Sequence, residues 1–239
     1  MNRSMAIARR EFDSYFRSPI AYVVITAFLI ASGFAFYQDF VPGEPATMRN
    51  TLNWMVWFLV FLTPILSMGL LAQEWSSGTI ETLMTAPVND LDVVLGKFFG
   101  NFALLVVMLI PTLLYVALLA IYARPDLGPI FSGYVGILLT GALFIAIGVF
   151  CSSLTRSQMV AVVLAVLILC LATVVPYLIR VEVANMRPFF LRMLDQTVYR
   201  RYSDFSKGVL DLGNIVFFLL STAVFLFLTV KVLESRRWK

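Results

Sequence analysis

Residues 127–155 read LGPIFSGYVGILLTGALFIAIGVFCSSLT, 29 positions without one Asp, Glu, Lys or Arg. A helix needs about 20 such residues to cross the hydrocarbon of a bilayer. A helix is required there because no water can satisfy free backbone groups. Five further runs lack these four residue types: 18–38, 50–73, 98–123, 157–179 and 212–230. The chain has 239 residues, of which 60% are hydrophobic and 13% charged. Soluble domains lie nearer half and a quarter. The reading is an all-α integral membrane protein with six transmembrane helices. Residues 1–239 are expected to form a single membrane domain with no separate soluble unit.

The same stretch carries Gly133, Gly136, Gly141, Ala142, Ala146 and Gly148. Small residues let membrane helices approach closely. Packing inside the bundle is the favoured use, and a dimer interface the alternative. Pro64, Pro111 and Pro176 fall in the second, third and fifth spans, where kinks are tolerated and can serve as hinges. Cys151 and Cys170 lie in or beside apolar runs and read as buried thiols, not a disulfide framework.

Topology follows from the flanks. Arg3, Arg9, Arg10 and Arg17 precede the first span, and only Arg49 follows it before the second. Lys231, Arg236, Arg237 and Lys239 follow the last span. Both termini are therefore expected in the cytoplasm of a plasma (inner) membrane, multi-pass protein. The whole-chain count is less decisive, with ten Lys and Arg on the proposed inner side and eight on the outer. The basic leader could suggest a cleaved signal peptide, but the apolar run after Pro19 is long for one, and Glu11 and Asp13 lie in the leader. A retained first helix is expected. Segments 74–97 and the turn at Arg156 then face the cytoplasm. Segments 39–53, 124–126 and 180–211 face outward. Trp54, Trp57 and Trp238 fall near the interfaces, as aromatic belts do.

Two segments are ordered without being spans. In 1–18, Met5, Ala8, Phe12 and Phe16 recur at helical spacing, with Arg9, Asp13 and Arg17 on another face. This predicts an N-terminal interfacial helix against membrane lipids, compatible with a plain positive-inside anchor. In 180–211, Pro188 can open a short helix bearing Phe189, Phe190, Met193 and Leu194, and Tyr199, Tyr202, Phe205 and Val209 repeat three or four apart. Two short external helices between spans five and six are predicted. A packed cap is favoured; an outer gate or a surface for an external or periplasmic partner, formed by Phe189, Phe190, Tyr199, Tyr202 and Phe205, is the alternative.

Several chemistries are absent. The apolar runs hold no ionisable carboxylate or cation, which argues against proton- or sodium-coupled carriage and against voltage sensing. The sequence contains no GxxxxGK[ST] loop and no histidine. P-loop ATP binding and the usual general base are thus missing, and no catalytic or metal site is expected. Any work against a gradient draws its energy from elsewhere. No nucleic-acid role is expected from a net charge of +4 in a membrane chain.

The segment 73–98 carries the remaining information. It reads Gln73-Glu74-Trp75-Ser76-Ser77-Gly78-Thr79-Ile80-Glu81-Thr82-Leu83-Met84-Thr85-Ala86-Pro87, with Lys97 ten residues later. Gly78 permits a tight bend between two short helices and Thr79 can cap the second. Glu81 then sits in its first turn, favoured by the helix dipole, and Pro87 stops it. On these features, an ordinary hairpin loop and a helix offered to a soluble partner are equal readings.

The pattern E-x-x-x-G-T-I-E-x-L-M-x-x-P with the later Lys97 resembles the ABC-2-type permeases. The resemblance implies that Glu74, Gly78, Thr79, Glu81, Leu83 and Pro87 couple this chain to a separate ABC ATPase subunit, through a cytoplasmic coupling helix. ATP and Mg would bind on that partner, with no cofactor in this chain. It further implies a second permease copy, identical or paralogous, and export as the usual direction. The stretches 11–19, 205–211, 225–229 and 233–238 resemble the gliding-motility-associated subgroup. The competing reading is a membrane anchor, scaffold or force-transmitting subunit without a soluble transported substrate; a channel ranks third.

Overall fold

The computed structural model describes residues 3–39, 47–78, 89–122, 125–182 and 197–237. Ten helices and no strands occur among them: α1 (Arg3–Arg17), α2 (Pro19–Asp39), α3 (Arg49–Ser67), α4 (Gly69–Ser77), α5 (Asp90–Leu109), α6 (Leu113–Tyr122), α7 (Leu127–Leu154), α8 (Gln158–Glu182), α9 (Val198–Phe205) and α10 (Leu212–Arg237). Six spans are long and apolar enough to cross a membrane: α2, α3 with α4, α5 with α6, α7, α8 and α10. The six-span, all-helical expectation therefore holds.

The central element is α7. It starts where Asp126 accepts a hydrogen bond from Gly128 N at 3.0 Å, with Pro129 in the first turn where its missing N–H costs nothing. Helices α3, α5, α8, α9 and α10 all pack on it. Its glycines are the reason they can. A Cβ at Gly133 would run into Leu52 of α3, one at Gly136 into Phe205 of α9, and one at Gly148 into Ser67 of α3. The small-residue stripe is spent on packing inside the bundle. Most of the outer residues of α2, α8 and α10 are instead large and apolar, as lipid-facing residues must be.

Each interruption in a span finds a side chain to satisfy it. Pro111 breaks the third span, and residues 109–115 tighten into consecutive i→i−3 bonds. Tyr134 of α7 donates its hydroxyl to the Thr112 carbonyl at 3.1 Å. At the other end of the first span, Asp39 accepts from Thr51 N at 2.7 Å, from the Thr51 hydroxyl at 2.6 Å and from Asn50 Nδ2 at 2.9 Å. A carboxylate at the end of α2 thus caps the start of α3.

The end of the bundle opposite the α3/α4 break is plugged by α9. Tyr202 is fully buried and donates to the Leu52 carbonyl at 2.9 Å. Phe205 is fully buried against Phe218, and Ser132 donates to its carbonyl at 2.7 Å. Tyr199 packs on Trp57 in a tilted pair with ring centroids 5.0 Å apart. Tyr202 and Phe205 face inward, so neither presents a side chain to an external partner in this arrangement. Phe189 and Phe190 lie outside the described residues, as does Trp238. Tyr202→Phe is expected to cost about 1 kcal/mol, the usual net worth of a buried hydrogen bond. Thermal unfolding in detergent measures it, and an unchanged midpoint would show that the bond carries no stability.

Candidate functional site

The site is built at the opposite end, where α1, α4 and α5 meet. Helix α5 opens with Asp90 and Asp92 in its first turn, favoured by the helix dipole. Gly96 and Gly100 then face α1. A Cβ on Gly96 would meet Ile7 Cβ at 2.6 Å, and one on Gly100 would meet Glu11 Cβ at 2.8 Å and the Ala8 carbonyl at 2.9 Å. The i, i+4 glycine pair lets α1 lie directly on α5. The predicted N-terminal helix is therefore present, and one face of it is buried against protein.

Lys97 sits between the two glycines with 1% of its side chain exposed. Its ammonium lies 2.8 Å from Glu74 Oε1 and 3.1 Å from Glu11 Oε1. Arg10, largely exposed, adds a longer contact of 3.8 Å to Glu74 Oε1. The exposed pair contributes little. The buried cation is different: taking it out of water is costly, and two hydrogen-bonded carboxylates offset that cost. Lys97 lies between two carboxylates distant in sequence and ties α1, α4 and α5 together, and Arg10, 3.3 Å from Glu11 Oε1, is the second cation that balances the cluster.

This arrangement corrects the expected position of Glu74. Span two was expected to end at Gln73, with Glu74 opening a cytoplasmic segment made of two short helices that bend at Gly78. The helix instead runs on to Ser77, because no breaker stands between Gly69 and Gly78 and Lys97 neutralises the Glu74 charge. Lys97 lies inside the helix of span three, not at an exposed mouth. Gly78 ends α4 with φ 72° and ψ −1°. A Cβ there would meet nothing within 4 Å, so glycine is needed for its left-handed backbone and not for space. Thr79, Glu81, Leu83 and Pro87 lie outside the described residues.

Helix α4 is held from two more directions. The Arg236 guanidinium at the end of α10 lies 4.9 Å over the Trp75 ring and donates to the Leu154 carbonyl at the end of α7. Both chain ends therefore meet the same face of the bundle as α4. Ser152 of α7 contacts the α3/α4 junction through three backbone hydrogen bonds. Tyr15 of α1 donates to the Leu66 carbonyl at 2.8 Å. Burial, and secondarily the Glu11 charge, push the Tyr15 phenol above its ordinary pKa, which keeps it a neutral donor.

Beside the clamp a cavity of about 580 Å³ is lined by Glu11, Tyr15, Gln73, Glu74, Lys97 and Gln158, among others. No cluster of His, Cys, Asp or Glu able to hold a metal occurs among the described residues. What the geometry provides is mechanical: a short helix continuous with span two, gripped by four other helices. The sequence reading singled out Glu74 and Gly78. It did not single out Glu11, Arg236 or Ser152, and it treated Lys97 only as part of a pattern. The one available signal was the Gly96-Lys97-x-x-Gly100 spacing, a cation between two close-approach positions.

A family profile described as ABC-2 family transporter protein matches residues 5–237. No curated protein matches the chain. The match spans α1, all six membrane helices and α9, and the segment that ends in the clamp lies within it. The chain belongs to the ABC-2 transporter family and is the membrane-spanning permease component of an ABC transporter, a family membership that implies an ABC ATPase partner.

Proposed function

We propose that this chain is a half-size permease, akin to the gliding-motility-associated subgroup, that pairs with a second copy or a paralogue and exports its cargo. A separate ATPase carrying ATP and Mg docks on the element 74–87, through Glu74, Gly78, Thr79, Glu81, Leu83 and Pro87. That element and both termini face the cytoplasm of the plasma membrane. The observation that carries the reading is the continuity of α4 with span two together with its ion clamp to α1 and α5. A push delivered beyond Gly78 acts on a helix that cannot yield without moving α1 and the third span. The charge-free centres of the spans suit an amphiphilic or apolar cargo. Accordingly Tyr199, Tyr202 and Phe205 would act as the outer closure that must open for release.

The test is purification of the chain in mild detergent with the products of its neighbouring genes, comparing wild type with Glu81→Arg. A stoichiometric ATPase is expected with the wild type. In the variant its retention or its hydrolysis should fall by about tenfold or more, because a reversed charge in a docking contact costs several kcal/mol. Absence of any ATPase from the wild-type preparation would transfer support to the scaffold or force-transmitting reading. An ATPase indifferent to Glu81→Arg would remove the docking role of this element.

A further inference from the structure

Span two runs on through Met68, whose dihedrals stay helical (φ −56°, ψ −40°), but its backbone hydrogen-bond ladder is interrupted there, between α3 and α4, and Gly69 follows. Into this break α7 inserts one hydroxyl. Ser152 Oγ accepts from Leu71 N at 3.1 Å and from Ala72 N at 3.0 Å, and donates to the Met68 carbonyl at 2.8 Å. Ser152 is fully buried. A serine hydroxyl has one proton and two lone pairs, so these three bonds use all it has.

The partners are informative. In an unbroken helix Ala72 N would bond to the Met68 carbonyl and Leu71 N to the Ser67 carbonyl. Ser152 lies between groups that could otherwise bond to each other. If the hydroxyl withdrew, the helix could close its own ladder. Ser152 could then donate to the Gly148 carbonyl one turn back in α7, a usual resort of serine in a helix. Leu71 N, Ala72 N, the Met68 carbonyl and the Ser152 hydroxyl have a partner in both arrangements, but the two amides share one oxygen in the first and each has its own carbonyl in the second, while the direction of α4 differs. Packed elements with two discrete arrangements are what carry motion between distant sites.

The two sides of the break are held by different elements. Before it, α3 is seated on α7, with Ser67 filling the notch at Gly148. After it, α4 carries Glu74, Trp75 and Gly78 toward the segment that leads out of the membrane. The α3/α7 pair is a fulcrum and α4 a lever. We propose that Ser152 is a positioning residue of the transport cycle. Its hydroxyl holds α4 in one of two directions, and the ATPase stroke exchanges the inserted hydroxyl for the closed helix. This rests on the proposed coupling through 74–87.

The complex of this chain with its ATPase, in lipid nanodiscs, tests the idea by amide hydrogen exchange across 69–77. In wild type, exchange at Leu71 and Ala72 is expected to be about tenfold slower in the ATP–vanadate state than in the nucleotide-free state, because two amides that share the Ser152 oxygen each gain a carbonyl of their own, a gain on the order of 1 kcal/mol. Ser152→Ala should retain the ATPase and the melting temperature within a few degrees, yet lose that nucleotide dependence. Ser152→Thr, which keeps the hydroxyl, should restore it. Exchange at these amides that ignores nucleotide in an active wild-type complex overturns the proposal without any variant. So does a nucleotide response that survives in Ser152→Ala. A wild-type preparation with no ATPase is a failure of the coupling reading itself, seen before any exchange is measured.

Discussion

Lys97→Met should be the most damaging single substitution at the clamp, lowering stability by about 3 kcal/mol, the lower end for breaking a buried ion pair. The methionine fits the space of the lysine stem, so packing is kept and the charge alone is lost. Glu11 and Glu74 remain, with only 14% and 18% of their side chains exposed, both carrying negative charge beside one another. Arg10 is the remaining nearby cation, 3.3 Å from Glu11 Oε1 and 3.8 Å from Glu74 Oε1, but it is largely exposed and offsets only part of the repulsion. Glu74→Gln should cost less, about 1 kcal/mol, because Lys97 keeps Glu11 at 3.1 Å. The double variant Glu11→Gln with Glu74→Gln should cost more than the two single losses added, because only then is the buried cation left without a counter-charge. Thermal unfolding of the purified chain in detergent reads all four. An unchanged melting temperature in Lys97→Met would mean that the three charges are solvated in the membrane and do not hold one another. A triple replacement by apolar residues of similar size separates stability from function: it should recover much of the stability, since dry packing can replace a buried ionic cluster. If the clamp transmits force, ATP turnover would stay uncoupled.

That experiment also marks where sequence reading stops. The spans were legible because a long run without charge has one low-energy fate in a membrane, and α1 was legible from its spacing of apolar positions. Gly78 was legible because a left-handed helix end selects glycine. The ends of spans two and three were not. A charge in a sequence reads as a boundary, and Glu74 and Lys97 were placed outside the membrane helices for that reason. What keeps them inside is their mutual neutralisation together with Glu11, and the three positions are far apart along the chain. Ser152 was hidden for a related reason. One serine among the small residues of α7 has no distinguishing pattern, and its role appears only when the break at Met68 is seen beside it. Tyr202 and Phe205 had the right periodicity, but periodicity does not say whether the apolar face of a short helix turns toward the bundle or toward a partner.

The glycines of α7 are legible in kind but not in rank, and Gly148 is predicted to be the most sensitive of them. A Cβ there would overlap Ser67 of α3, both its hydroxyl and its own Cβ. The obstacle at Gly133 is the end of a leucine side chain, which can rotate; at Gly136 it is the Cβ and ring of Phe205, carried on the eight-residue helix α9 and not on a membrane span. The obstacle at Gly148 sits one bond from a helix backbone, so relief requires α3 and α7 to separate. Gly148→Ala is therefore expected to cost roughly 2 kcal/mol and Gly148→Val more, typical of overpacking a rigid contact. Gly128→Ala is the control: it is exposed, its added methyl would meet only Asp126 Oδ1 at 3.4 Å, and it should leave stability within about 0.5 kcal/mol. The decisive arm is a second-site change. Ser67→Gly removes the overlapping atoms, so Gly148→Ala with Ser67→Gly should be more stable than Gly148→Ala alone. A double variant no better than the single would show that α7 is held apart from α3 by something other than this notch. The effect would then reach further than stability. Ser152 stands one helical turn below Gly148, and a shift of α7 away from α3 withdraws its hydroxyl from Leu71 and Ala72. Gly148→Ala should thus shift exchange at those two amides in the nucleotide-free state toward the slower closed-helix value, and Ser67→Gly should shift it back.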